Sequence, residues 1–175
     1  MADNITVLIS EEDLDRKIKE LGEQISRDYE GQQVHLICVL KGGSFFMCEL
    51  AKRITIPVSI DFMSVSSYGD ASVSSGIVKI VKDLDKPIEG KNVIVVEDII
   101  DTGRTLSYLL KVLGDRKPES IKLCTMLDKP DRRVVDDVNV DYSGFEIPDE
   151  FVVGYGLDYA EMYRNLPYIG VLHLD

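Results

Sequence analysis

An α/β fold with a mostly parallel central sheet flanked by helices is what this sequence predicts, on three observations. Val34–Leu40, Val93–Val96 and Ile121–Leu127 are short, apolar and rich in branched residues, the pattern of strands buried on both faces of a parallel sheet. Segments with helical spacing lie between such runs, notably Leu14, Ile18, Leu21 and Ile25, then Leu106, Leu109, Leu110 and Leu113. Polar, glycine-bearing turns come after two of the strands, Lys41–Ser44 directly and Asp101–Thr105 beyond Glu97 and Asp98, and open α/β sheets bind ligands beyond the carboxyl ends of their strands. The 175 residues fit one domain, 1–175, long enough to bury about 70% of the surface the unfolded chain exposes.

Taken in order, Ile5–Ile9 is a first short strand, and Ser10 with Asp13 forms a capping pattern for the helix that follows and that Gly31 closes. After the strand Val34–Leu40 comes Lys41-Gly42-Gly43-Ser44, then a helical run from Phe45 to Arg53. Two glycines let backbone amides face an anion and Lys41 adds positive charge; an ordinary strand-to-helix turn is the alternative. Val58–Val65 alternates in part like a strand, residues 66–76 abandon hydrophobic periodicity, and Ile77–Val81 resumes it. Such a loop of small polar residues is either inert or a lid that keeps water from a reactive intermediate.

The stretch Val93–Leu106 organises the rest. Its strand is followed by Glu97, Asp98 and Asp101, and Asp101-Thr102-Gly103-Arg104-Thr105 leads into the next helix, which Gly114 ends. A strand passing through a small polar turn into a helix offers N–H groups at the positive end of a helix dipole, a site for phosphate. Thr102 and Thr105 add hydroxyl donors, and Gly103 allows close approach of the backbone. Carboxylates beside such a cup repel phosphate unless they face another part of the ligand. Glu97 and Asp98 suit a pair of vicinal hydroxyls, so a sugar phosphate satisfies both halves; a strand end and an Asp101 helix cap are the plain alternatives.

Net charge of −11 argues against a nucleic-acid surface. No signal-peptide pattern opens the chain and no apolar stretch nears the roughly 20 residues that span a bilayer, so a cytoplasmic location without a membrane partner is expected. Cys38, Cys48 and Cys124 show neither disulfide nor zinc spacing. His35 and His173 lie in apolar runs away from the acidic loop, which leaves acid–base work to carboxylates, Lys or Tyr.

Two acidic residues followed by Asp-Thr-Gly-x-Thr resemble the phosphoribosyl-diphosphate (PRPP) motif of the type I phosphoribosyltransferases. Three further segments extend that resemblance over nearly the whole chain: Leu40-Lys41-Gly42-Gly43, Lys129 after the strand Ile121–Leu127, and the tail Phe145–Tyr159. The tail is similar to the hood of hypoxanthine-guanine phosphoribosyltransferases, here about residues 145–175. The resemblance implies the type I phosphoribosyltransferase fold with a small hood over the site, a lid at 66–76 bearing the Ser67-Tyr68 pair, and a cis Leu40–Lys41 peptide.

It also implies roles. Glu97, Asp98, Asp101, Thr102, Gly103, Arg104 and Thr105 would bind the ribose phosphate of PRPP, and Lys41, Gly42 and Arg164 the pyrophosphate. Lys129 would read the purine 6-oxo group, Phe151 stack on the base and Val152 meet its edge through the backbone. Mg²⁺ would be held by Asp158 with Glu97 and Asp98, and Asp101 would take the proton from purine N7. Arg104 stands where mammalian relatives carry Lys, and is assigned a supporting phosphate contact.

The implied reaction is purine salvage: PRPP and hypoxanthine or guanine give IMP or GMP and pyrophosphate, in a homodimer or homotetramer. Three other readings compete. RNA-binding regulators share the fold but need a basic surface; a xanthine- or pyrimidine-preferring transferase would differ in its base; a noncatalytic nucleotide-binding module would not need Asp101, Asp158, Lys41 and Arg164 together.

Overall fold

The computed structural model describes residues 4–67 and 78–173. In chain order the elements are β1 (Ile5–Ile9), α1 (Glu11–Asp28), β2 (Val34–Val39), α2 (Gly43–Arg53), β3 (Val58–Ser67), β4 (Val78–Lys82), β5 (Asn92–Ile100), α3 (Arg104–Gly114), β6 (Ser120–Asp128), a 3₁₀ turn (Pro130–Arg132), β7 (Tyr142–Glu146), β8 (Val152–Val153) and β9 (Ile169–Leu172). Six strands form the main sheet in the order β4-β3-β2-β5-β6-β7. Only the β3–β4 pairing is antiparallel; β2–β3, β2–β5, β5–β6 and β6–β7 are parallel.

The apolar strand runs are explained by two cores, one on each face of this sheet. Ile94 and Val96 point with Leu36 and Cys38 toward α1 and α2, where Ile18, Leu21, Ile25, Phe46 and Leu50 are buried. Val93 and Val95 point the other way with Ile37, onto Leu106, Leu109 and Leu113 of α3. Successive strand residues face opposite sides, so a strand covered on both must be apolar throughout. β5 lies between β2 and β6, and its carboxyl end is therefore the middle of the sheet's ligand edge.

The second sheet is small, antiparallel and ordered β1-β9-β8. It forms the hood, and it corrects two expectations. β1 belongs to it, pairing Ile5 with Leu172. Phe145 and Glu146 belong to the main sheet instead, as β7 alongside β6, so the hood starts later than residue 145.

Several boundaries also move. The Ser10 hydroxyl does cap α1, accepting the Asp13 N–H at 3.1 Å, but the helix ends at Asp28 with Tyr29 as its cap, before Gly31. α2 begins at Gly43, two residues before the apolar pattern; a side chain there would press on Cys38 Sγ and the Val96 carbonyl, each 3.2 Å from the would-be Cβ. β3 extends through Ser66 and Ser67, and the remainder of the expected lid, including Tyr68, lies outside the described residues. Among those residues no helix is long and apolar enough to cross a membrane.

Candidate active site

β5 continues to Ile100, so Glu97 and Asp98 are inside the strand and not beyond its end as the hydrophobic pattern suggested. Pairing with β6 carries it on, Glu97 opposite Thr125 and Ile100 opposite Asp128. The chain then turns at Asp101, Thr102 and Gly103. Gly103, at φ +80°, is the N-cap of α3, with no side-chain cap, which removes the capping role considered for Asp101. A Cβ on Gly103 would lie 2.7 Å from Val135 Cγ2 and 2.9 Å from Arg133 Cδ, so both conformation and space demand glycine. The Arg104 N–H reaches Thr102 Oγ1 at 3.5 Å. Glu97, Asp101, Thr102, Gly103 and Thr105 line one cavity of about 250 Å³.

Glu97 is buried, and among the described residues no hydrogen bond or ion pair reaches its carboxylate. Burial, then the neighbouring Asp98 charge, holds its pKa well above the usual carboxylate range. Asp98 is partly buried and pushed up to about 6, chiefly by burial; the Ile99 N–H and Arg164 act against that, and Asp158 adds to it. The Ile99 N–H donates to Asp98 Oδ1 at 2.7 Å.

The Leu40–Lys41 peptide is cis, in agreement with the resemblance. Gly42 follows it against Asp98, whose carboxylate would collide with any Cβ there. From the hood, Gly156 (φ +100°) packs its Cα onto the Gly42 carbonyl, while Arg164 Nη1 donates to the Gly156 carbonyl at 2.6 Å. The cations of this end are neutralised within the chain: Lys41 Nζ lies 2.6 Å from Glu161 Oε2, and Arg164 Nη2 lies 2.8 Å from Asp158 Oδ1 and 3.5 Å from Glu161 Oε1. The Arg164 Nε–H is buried and has no partner among the described residues.

At the other end Lys129 leaves β6 with its N–H bonded to the Ile100 carbonyl at 3.0 Å, which ties the carboxyl ends of β5 and β6 together. Lys129 is buried; its ammonium donates to the Glu150 carbonyl at 2.7 Å and lies 3.7 Å from Asp149. Asp101 Oδ1 accepts from Arg132 Nε at 2.8 Å, and Arg132 Nη1 reaches Asp149 at 3.4 Å. Phe151 is exposed, its ring edge-on to Tyr159 with centroids 5.6 Å apart. Val152 is buried in β8 opposite Val171.

Arg132, Asp149 and Glu161 were not singled out from the sequence. Their partners are 31, 17 and 120 positions away, and charged residues in polar turns carry no spacing signal for such pairs.

No group of three or more His, Cys, Asp or Glu side chains among the described residues is gathered to hold a metal ion. Mg²⁺ does not require one, since it keeps several waters and takes one or two carboxylates plus substrate oxygens. Asp98 and Asp158 fit that role: both are hard oxygen donors, and Asp158 is close enough to raise the Asp98 pKa.

Comparison with known proteins defines the class first. The family model for the phosphoribosyl transferase domain matches residues 10–160. A hypoxanthine-guanine phosphoribosyltransferase of Bacillus subtilis is 56% identical over 166 residues, covering 95% of this chain and 92% of the relative. The solved structure of such an enzyme from Bacillus anthracis superposes with a TM-score of 0.92 at 54% identity, covering 96% of this chain and 98% of that one. A bifunctional TilS/HprT protein of Listeria monocytogenes is 57% identical over 95% of this chain, which spans only 26% of that protein's length. The chain belongs to the hypoxanthine-guanine phosphoribosyltransferase family.

Proposed function

We propose that this chain transfers the phosphoribosyl group of PRPP to hypoxanthine or guanine, giving IMP or GMP and pyrophosphate. The observation that carries this is the juxtaposition of a carboxylate, Asp101, and a buried ammonium, Lys129, at adjoining strand ends beside the Gly103 turn. A 6-oxopurine presents an N7–H donor and an O6 acceptor side by side, and that pair of groups complements it.

In this reading the turn from Thr102 to Thr105 binds the 5′-phosphate, with Arg104 in support, and Glu97 and Asp98 take the ribose hydroxyls. Lys41, Gly42 and Arg164 receive pyrophosphate. The bond from C1′ to the pyrophosphate oxygen breaks with its electron pair leaving on pyrophosphate. N9 bonds to the oxocarbenium-like C1′, and the N7 proton passes to Asp101. Cations facing the leaving group stabilise the charge that develops there, and the turn and the acidic pair contribute orientation. Bound Mg²⁺, held by Asp98 and Asp158 with Glu97 nearby, would neutralise charge on the diphosphate. Phe151 stacks on the base, and Val152 meets its edge through the backbone. The dimer or tetramer is proposed on the resemblance alone, and sedimentation decides it.

Pyrophosphate release with PRPP and Mg²⁺ tests the reading, offering hypoxanthine, guanine, xanthine, adenine and uracil separately. Turnover of hypoxanthine or guanine with little of adenine or uracil is expected. PRPP binding without turnover of any base would overturn it in favour of a nucleotide-sensing protein.

A further inference from the structure

Between Asp101 and Lys129 runs an alternating chain of charge: Asp101 Oδ1 to Arg132 Nε at 2.8 Å, Arg132 Nη1 to Asp149 Oδ2 at 3.4 Å, Asp149 Oδ1 to Lys129 Nζ at 3.7 Å. Both ends of this chain are the groups assigned to the purine, and neither middle member has an assigned role. Arg132 closes the 3₁₀ turn after β6, its N–H bonded to the Lys129 carbonyl at 3.1 Å. Asp149 lies in the link from β7 to β8, beside the Glu150 carbonyl that anchors Lys129.

We infer that Arg132 and Asp149 are positioning residues that hold Asp101 and Lys129 at the spacing of N7 and O6 on a 6-oxopurine. The inference rests on the reading that these two groups meet the base. Asp101 follows the last residue of β5, and a side chain there has rotamer freedom that the sheet does not restrain. Arg132 occupies one carboxylate oxygen and leaves the other for the N7 proton. Asp149 turns one oxygen to Arg132 at 3.4 Å and the other to the Lys129 charge at 3.7 Å, so its charge relates the two.

The neighbouring Arg133 does a separate job. Its Nη2 lies 2.5 Å from Asp128 Oδ1 and its Nε 3.4 Å from the Asp101 carbonyl, which braces the backbone. The side chain of Asp101 is left to Arg132. An adenine, with a donor at C6, would set that donor against the Lys129 ammonium, so a fixed spacing sharpens rejection of 6-aminopurines.

The test is steady-state kinetics on Arg132→Gln, Arg132→Lys, Asp149→Asn and the Arg132→Gln/Asp149→Asn pair, with PRPP affinity measured by calorimetry on each. Misplacement of a reacting group by a fraction of an ångström predicts a kcat loss of about tenfold in Arg132→Gln. Arg132→Lys, which keeps the charge but not the planar fork that reaches Asp101 and Asp149 from separate nitrogens, recovers part of it. Asp149→Asn raises the KM for hypoxanthine several-fold and narrows the preference over adenine. PRPP affinity changes less than about twofold, and the double variant loses less than the product of the single losses.

Unchanged kinetics in both single variants, multiplicative losses in the double variant, or an equal fall in PRPP affinity would overturn the inference. If wild-type protein turns over hypoxanthine and these variants match it, the inference alone fails. If wild-type protein turns over no purine, both readings fall.

Discussion

Inside β5, Glu97 is buried and Asp98 partly buried, with no cation bonded to either among the described residues, and burial holds both above the ordinary carboxylate range. At the ends proposed to receive pyrophosphate and purine the reverse holds for all but the buried Lys129: Lys41 is paired with Glu161, Arg164 with Asp158, and Arg132 with Asp101 and Asp149, all at least partly exposed. The end proposed to hold the ribose thus stands preformed at an electrostatic cost that a bound ligand or Mg²⁺ would relieve. The other ends hold their charges in readiness by pairing them with each other, and a ligand has to exchange partners there. Burying a carboxylate carries a desolvation penalty, whereas an exposed ion pair contributes little and costs little to exchange.

The sharpest way to break this comparison is at Asp101, the proposed proton acceptor. Asp101→Asn retains shape and removes basicity, so kcat should fall by about 10² to 10⁴ while PRPP affinity stays within a few-fold. Equal losses in both would make Asp101 part of the phosphate turn and erase its distinction from Glu97 and Asp98. Lys129→Ala comes next. Loss of a charge-assisted bond predicts a fall of about 10- to 100-fold in kcat/KM for 6-oxopurines, with PRPP affinity nearly intact. A matched loss for every base would show that Lys129 serves only its bond to the Glu150 carbonyl.

The preformed end is tested through stability. Asp98 titrates near 6 in the folded chain and near 3.9 when unfolded. Between those values the folded state holds more protons, so stability falls as pH rises through that window and stays reduced above it. Asp98→Asn should therefore stabilise the ligand-free protein at pH 8 and leave it unchanged at pH 4. Allowing for partial exposure, the gain is about 1–2 kcal/mol, read as a rise in Tm of roughly 2–4 °C per kcal/mol. A constant difference at both pH values would mean that the carboxylate carries no electrostatic cost.

How much of this was legible depended on the range of the interaction. The central strands were readable because burial on two faces leaves a local apolar signature, and the Gly103 turn because its demands are met within a few residues. The end of β5 was misread because its apolar run stops at Val96, whereas pairing with β6 carries the strand to Ile100. β1 was not placed in the hood, since its three middle residues are exposed and its partner strand lies at the far end of the chain. The ion pairs that arm the site join residues as many as 120 positions apart, and only the fold brings them together.

The smallest expected effect concerns that longest pair. Glu161 sits at φ +66° in the hairpin from Tyr159 to Met162, its N–H bonded to Asp158 Oδ2 at 2.9 Å. This conformation turns its carboxylate onto Lys41 and Arg164, the two cations proposed to receive pyrophosphate. Pyrophosphate must displace it, so Glu161→Gln should tighten pyrophosphate binding and slow its release. Because the Lys41–Glu161 pair is largely exposed, the change should be only about two- to fivefold, and larger at low ionic strength than at high. Weaker pyrophosphate binding in the variant would reverse the argument, making Glu161 a support for Lys41 instead of its competitor, and exchange of partners would then be confined to the purine end.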